Sequence, residues 1–235
     1  MTQEPEARSM LRFSCFVTGT DTEIGKTLVS SALLHALAQR GLRSAGMKPV
    51  AAGASWRDGA WHNEDVDMLA AASSVKLPIA LISPYLMREP AAPHIVALHE
   101  QVNISAAHIL ECYGQLAQQA EAVVVEGVGG FCVPLNDELD TADLAQQLAL
   151  PVILVVGMRL GCLSHALLTV QAIAARGLRL AGWVANTVDA DMRYAEENLQ
   201  ALSRRIAAPL LGHIPRLPEP TCAAAAPYLN LNLLM

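Results

Sequence analysis

Gly19-Thr20-Asp21-Thr22-Glu23-Ile24-Gly25-Lys26-Thr27 joins the apolar stretch Ser14 to Thr18 to a run in which Leu28, Val29, Ala32, Leu33, Ala36 and Leu37 recur at the spacing of one buried helical face. A Gly-rich turn ending in Gly-Lys-Thr between a strand and a helix is how a backbone grips a polyphosphate. The first N–H groups of the helix point at the anion, Lys26 adds a charge on the terminal phosphates, and the Thr27 hydroxyl suits Mg2+. A nucleotide is therefore the first ligand to consider. Five residues separate Gly19 from Gly25, one more than the strict motif allows, so Thr20 stands where the first Gly usually does. An ordinary turn carrying a Lys by chance is the alternative, and the apolar strand and helix on either side disfavour it.

Outward from this segment, short apolar stretches alternate with helical patterns. Strands are expected at Ser14 to Thr18, Ser44 to Pro49, Ala122 to Glu126, Val152 to Gly157 and Leu180 to Asn186. Helices are expected from Gly25 through Leu37, and at Ser105 to Gln119, Thr141 to Leu148, Ser164 to Arg176 and Asp191 to Ser203. Continuous apolar strands separated by helices imply an α/β fold: a parallel sheet with helices on both faces, here a P-loop NTPase-like single domain over residues 13–235. Residues 1–12 read as a flexible lead-in, charged and lacking the apolar core of a signal peptide. Ala51 to Asn63 breaks the rhythm as a long irregular segment, and its two Trp residues argue against disorder.

Composition narrows the function. Hydrophobic residues make up 53% and aromatics only 4%, as buried parallel strands under Ala-rich helices require. A net charge of −6 with no basic run argues against a nucleic-acid or membrane-surface binder, so an anionic ligand must be held locally. The five cysteines form no C-x-x-C pair and no zinc-like spacing with His, and read as reduced thiols of a cytoplasmic protein. The longest apolar run, around Leu148 to Met158, contains Pro151 and Gly157 and is too short to span a bilayer.

Ligands in such sheets sit beyond the carboxyl ends of the strands, where the remaining polar candidates fall. Glu126 ends A-V-V-V-E just before Gly127-Val128-Gly129-Gly130; a carboxylate facing a P-loop there suits Mg2+, and a structural ion pair is the alternative. Asp65 and Asp67 sit two apart on a helix start and point to different faces, so one is a ligand and the other a solvated or helix-end charge. The Gly-rich run can form an anion nest or a plain tight turn. Lys48 ends the second strand, aimed at the phosphate loop. Asn186 ends the last long strand, where its amide can pair with the edge of a purine.

Taken together the chain resembles the dethiobiotin synthetases, P-loop enzymes of the biotin pathway. The resemblance runs from about Phe16 to Leu217 through an ordered set: G-T-D-T-E-I-G-K-T, G-M-K-P-V-A, E-P-A-A-P-H, V-V-E-G-V-G-G, L-P-V-I-L-V-V-G-M-R-L-G-C-L-S-H, G-W-V-A-N and L-L-G-H-I-P. It implies a reaction in which 7,8-diaminononanoate, CO2 and ATP give dethiobiotin, ADP and phosphate with Mg2+ as cofactor. It further implies that Lys48, Lys26 and Thr22 serve the chemistry, and that Thr27, Asp65 and Glu126 hold the metal. Glu23, Ile24, Gly25, Leu28, Gly127, Val128 and Gly129 join the ATP site. Asn186, Thr187 and the Ile214-Pro215-Arg216-Leu217 segment frame the adenine. Gly129 and Gly130 help bind the substrate, and in a homodimer Gly161, Cys162 and Ser164 receive its carboxylate tail across the interface.

Several positions depart from that pattern. Ala52 and Ala92 stand where Ser is common, Ser164 where Asn is common, and Thr187 where Asp often follows Asn186. These bear on substrate and nucleotide affinity more than on the reaction, and His94 and His165 read as structural. Two other functions share the fold. Amidoligases of cobyric acid synthesis carry a glutaminase domain for which this chain has no room. Partition-type ATPase switches place a second Lys early in the P-loop, where this chain has Thr20 and Asp21.

Overall fold

The structure, a computed structural model, describes residues 12–234; the lead-in expected over residues 1–12 falls outside it except for Arg12. Strand β1 (Phe13–Gly19), helix α1 (Lys26–Gln39) and strand β2 (Ser44–Met47) come first, followed by the short strands β3 (Val50–Ala51), β4 (Ser55–Arg57) and β5 (Ala60–His62). Next are α2 (Glu64–Ala72), α3 (Ile79–Ile82), β6 (Tyr85–Leu86), α4 (Pro93–His99), α5 (Ala106–Gln119) and β7 (Ala122–Glu126). The alternation then resumes through α6 (Thr141–Leu148), β8 (Val152–Met158), α7 (Cys162–Ala175), β9 (Leu180–Thr187), α8 (Ala195–Arg205), β10 (Leu210–Ile214) and α9 (Cys222–Ala225).

Six strands form one parallel sheet in the order β10-β9-β8-β1-β7-β2. Alternation along β1 sends Cys15 and Val17 into the apolar layer beneath α1, and Phe16 into the layer shared with α5 and α6. Both faces are thus covered, and β8 is buried along its whole length. Because β1 leads out to β2 on one side while β8 and β9 lie on the other, the strand order reverses at β1. The crevice for a ligand therefore opens at its carboxyl end.

The structure adds to the sequence reading the short helices α3, α4 and α9, a parallel β3–β6 pair, a sixth strand in the main sheet and a hairpin. The sixth strand, β10, was not expected, since Leu210 to Ile214 is short and interrupted by Gly212. That glycine is forced by packing: a Cβ there would lie 1.9 Å from the Tyr228 carbonyl oxygen, where the C-terminal segment crosses. The segment expected to be irregular, Ala51 to Asn63, contains an antiparallel β4–β5 hairpin with Trp56 opposite Trp61, their rings 5.4 Å apart and edge-on. Its turn is Asp58-Gly59, both at positive φ (51° and 81°), the backbone that a two-residue hairpin favours. Among the described residues no helix is long and apolar enough to cross a membrane.

At α6, Asp140 accepts the Asp143 N–H at 2.7 Å while Asp143 accepts the Asp140 N–H at 2.9 Å, and Arg176 pairs with both carboxylates. The Asp140 N–H bond, outweighing partial burial and aided by Arg176, holds the Asp143 carboxyl below its usual range. A depressed folded value stabilises the protein above the unfolded value, and that stabilisation is lost as pH falls through the folded one. Asp143→Asn is therefore expected to lower the melting temperature at pH 7 and to flatten its decline between about pH 4 and pH 2. Thermal melts of both proteins across that window check this.

Candidate active site

β1 delivers the chain into the turn 20–25, where Glu23 takes a positive φ of 57° and Gly25 one of 86°. At Gly25 a Cβ would lie 2.2 Å from the Asn186 amide nitrogen, so only glycine fits. Asn186, at the end of β9 and buried, donates that amide to the Ile24 carbonyl at 2.8 Å and so fixes the start of α1 from across the sheet. Ile24 anchors the turn in the core at 0% exposure. Thr27 is then carried on the first turn of α1, pointing at two carboxylates.

Those carboxylates arrive from separate elements. Glu126 is the last residue of β7 and wholly buried. Asp65 is in the first turn of α2, whose start is set by Asn63: its side-chain oxygen caps the Val66 N–H, and its amide reaches back to the Ala52 carbonyl at 3.0 Å. The Thr27 hydroxyl lies 2.7 Å from Asp65 Oδ1 and 2.8 Å from Glu126 Oε1. Lys48, directly after β2 and only 3% exposed, places its ammonium 2.7 Å from Asp65 Oδ2 and 2.6 Å from Glu126 Oε1. Glu126 Oε2 is buried with no hydrogen-bond partner among the described residues. Four groups distant in sequence thus meet within hydrogen-bond reach.

The electrostatics follow from burial. Burial pulls the Lys48 ammonium down, but Glu126 and Asp65 overcome it and its pKa is raised. Asp65 is held below the usual carboxylate range, because Lys48 and the Thr27 hydroxyl outweigh its partial burial. Lys26 meets no carboxylate among the described residues: it donates to the Asp21 carbonyl at 2.8 Å, and burial, then the like charge of Lys48, lowers its pKa to about 8. An oxyanion entering here gains two ammonium groups in a site largely shielded from water.

A cleft of about 840 Å3, within the range of small-ligand sites, opens over these residues. Thr22, Glu23, Gly25, Lys26, Thr27, Leu28, Lys48, Asp65, Val128, Gly129, Asn186 and Arg216 line it. Ile24 and Glu126 lie buried behind that surface, and the Gly127 N–H is spent on the Val17 carbonyl at 2.9 Å. Gly129, at φ 63°, sits where a Cβ would be 3.6 Å from the Thr22 hydroxyl, and a Cβ on Gly130 would be 3.7 Å from the Gly19 carbonyl. The glycine run therefore packs against the P-loop. Pro215 and Leu217 flank Arg216, and the Thr187 hydroxyl is 2.9 Å from His213 Nε2.

Four expected substrate residues do not line this cleft within one chain: Gly130, which packs against the Gly19 carbonyl, and Gly161, Cys162 and Ser164. Gly161 begins α7 at φ 95°, Ser164 is exposed beside it, and the Cys162 side chain is buried in the core under α7. The Cys162 N–H is bonded to the Arg159 carbonyl at 3.0 Å, so the next N–H groups of the first turn are the ones left to act as donors. Asp67 faces away from Thr27, toward Arg57 at 3.2 Å and His62 at 3.1 Å. Sequence reasoning passed over Asp21 and Arg159, whose side chains pair beside the P-loop. The signal was present: Arg159, like Lys48, directly follows an apolar strand at its carboxyl end.

Comparison with known proteins identifies the family. The chain matches the family model described as AAA domain over residues 14–223. It is 62% identical to the ATP-dependent dethiobiotin synthetase BioD of Janthinobacterium sp. (strain Marseille) over 226 residues, 94% of this chain and 96% of that one. The chain belongs to the dethiobiotin synthetase family. Among solved structures, a ParA family ATPase from Chlorobium tepidum TLS superposes with a TM-score of 0.56 at 15% identity, covering 96% of this chain and 97% of that one. The MinC:MinD cell division protein complex of Aquifex aeolicus gives 0.56 at 14% identity, covering 94% and 88%. At such identities the likeness is one of fold alone.

Proposed function

We propose that this ATP-dependent ligase joins CO2 to the two amines of 7,8-diaminononanoate to form the cyclic urea of dethiobiotin, in the cytoplasm and as a homodimer. The observation that carries the reading is Lys48: a buried ammonium at the floor of the cleft, beside the P-loop and between two carboxylates. One substrate amine attacks CO2 and loses a proton to give a carbamate. A carbamate oxygen then attacks the γ-phosphorus of ATP and ADP leaves, after which the second amine attacks the carbamoyl carbon and expels phosphate.

The obstacle in the second step is charge, since a carbamate and a triphosphate repel each other. Lys26 and Lys48 bring positive charge to the groove where the two anions meet, and Thr22, on the cleft surface beside Gly129, orients the carbamate. Asn186 with Arg216 borders the space for the base; its amide also bonds Ile24, which couples the base end of the site to the P-loop.

A Mg2+ ion fits the oxygen set present. Thr27 Oγ1, Asp65 and Glu126 converge, and the buried, unpartnered Glu126 Oε2 has the character of a ligand atom. The protein's own share of such a site would be two carboxylates and a hydroxyl, with phosphate oxygens and water completing the shell. When bound, Mg2+ supplies further positive charge at the phosphate oxygens. Asp65→Asn is therefore expected to raise the Mg2+ requirement by about tenfold or more, and Asp67→Asn, removing a group turned toward Arg57, to leave it within about twofold. Titrating metal against rate for each variant checks the assignment, and the reverse pattern overturns it.

The dimer is supported by exposed apolar side chains around the start of α7. Leu160 is 92% and Leu168 62% exposed, one before and the other seven residues after Gly161, and a two-fold interface there covers both. Each α7 N-terminus would then offer its open N–H groups to the carboxylate of a substrate seated in the partner's cleft. The whole reading is tested by assaying dethiobiotin formation from diaminononanoate, bicarbonate, Mg2+ and ATP; ATP hydrolysis without the ring-closed product overturns it.

A further inference from the structure

Asp21 is an anion at the mouth of an anion site. It lies between Gly19 and Lys26 in the turn that grips phosphate, and its own carbonyl accepts the Lys26 ammonium at 2.8 Å. An unopposed carboxylate there would act against the charge that Lys26 provides. It is not unopposed: Arg159, at the carboxyl end of the neighbouring strand β8, places its guanidinium on Asp21 Oδ2, while Asp21 Oδ1 accepts the Thr22 N–H at 2.7 Å. The carboxylate is thus held between a cation and the P-loop backbone.

We propose that Arg159 is a positioning residue for the nucleotide: by neutralising and orienting Asp21 it fixes Thr22 and keeps the phosphate-binding turn positive. The role rests on the phosphate-site reading of the P-loop given above. Both partners are 42% exposed, and an ion pair of that exposure contributes little to folding stability. The pair's effect falls instead on what the turn attracts. With Arg159 removed, the Asp21 charge acts on an incoming polyphosphate without compensation, and Thr22 loses the group that fixes its acceptor. The main chain of Arg159 has a second use, since its carbonyl accepts the Cys162 N–H that opens α7. Its side chain and backbone therefore tie the P-loop to the segment proposed to meet the partner subunit.

The test combines calorimetric binding of ATP and of ADP with steady-state kinetics, for Arg159→Gln, Arg159→Lys, Asp21→Asn and the double variant Asp21→Asn/Arg159→Gln. Arg159→Gln is expected to weaken both nucleotides and raise KM for ATP by about tenfold at low salt, less at high salt, with a melting temperature within about 2 °C of the parent. KM for the diamine should move less than that for ATP. Arg159→Lys should retain most of the affinity, and the double variant should recover most of what Arg159→Gln loses, because the harmful charge is gone. Unchanged nucleotide affinity in Arg159→Gln, or a double variant no better than that single one, overturns the proposal. A Lys26→Gln control separates the two readings: if that change also leaves nucleotide binding intact, the phosphate-site reading fails and not merely the role of Arg159.

Discussion

Lys48→Gln is expected to lower turnover by about a hundredfold or more at saturating substrates, because a neutral amide cannot offset the charge between a carbamate and the γ-phosphate. Loss of one charge aimed at a transition state is worth about 3 kcal/mol or more. The structure adds a second consequence. Lys48 is also the counter-ion of Glu126, which is wholly buried, so its removal leaves a buried carboxylate uncompensated on that side. Breaking one partner out of a buried pair costs about 3 kcal/mol or more, which for a chain of this size lowers the melting temperature by about 10 °C. Mg2+ with a non-hydrolysable ATP analogue should restore part of that loss by binding the folded state alone. Turnover measured well below the melting point of the variant separates the two effects. A rate within about fivefold of the parent under those conditions removes Lys48 from the chemistry.

This coupling of stability to catalysis was beyond the reach of sequence. A Lys at a strand end reads as an isolated cation, and only the fold shows which carboxylates it meets. What sequence conveyed well were features carried by local pattern: five of the six strands of the main sheet, the long helices α1, α5, α6, α7 and α8, and the P-loop that opens α1. What it missed depends on contacts distant along the chain. β10 is five residues long, with a glycine whose reason is the Tyr228 carbonyl fifteen or more positions later. The β4–β5 hairpin had a legible signal in Asp58-Gly59, obscured because its strands are only three residues each. The choice between Asp65 and Asp67 could not be made from spacing, as both sit in the first turn of α2. It needs the positions of Thr27 and Lys48 on one side and of Arg57 and His62 on the other. The Asp21–Arg159 pair, 138 residues apart, is of the same kind.

Two inactive variants are expected to make an active enzyme when their subunits are exchanged. The substrate carries amines at one end and a carboxylate at the other. In the proposed dimer Lys48 of one chain serves the amines, and the N-terminus of α7 in the other chain serves the tail. Gly161→Asp sets a negative charge against that tail. The site has space for it, since a Cβ at Gly161 meets nothing nearer than His165 Cε1 at 4.0 Å. The positive φ of 95° is strained for a side chain, though Asp tolerates such backbone better than most residues. Each homodimer, Gly161→Asp or Lys48→Gln, should turn over at no more than about one per cent of the parent. In a mixed dimer one site inherits both lesions and the other neither. Random exchange of equal amounts makes half the dimers mixed, with one sound site in two, so about a quarter of parental activity should return. Differently tagged chains, purified as mixed dimers, should return about half. No recovery in dimers shown to be mixed would mean that each chain completes its own site and that Gly161 acts on the tail of its own substrate.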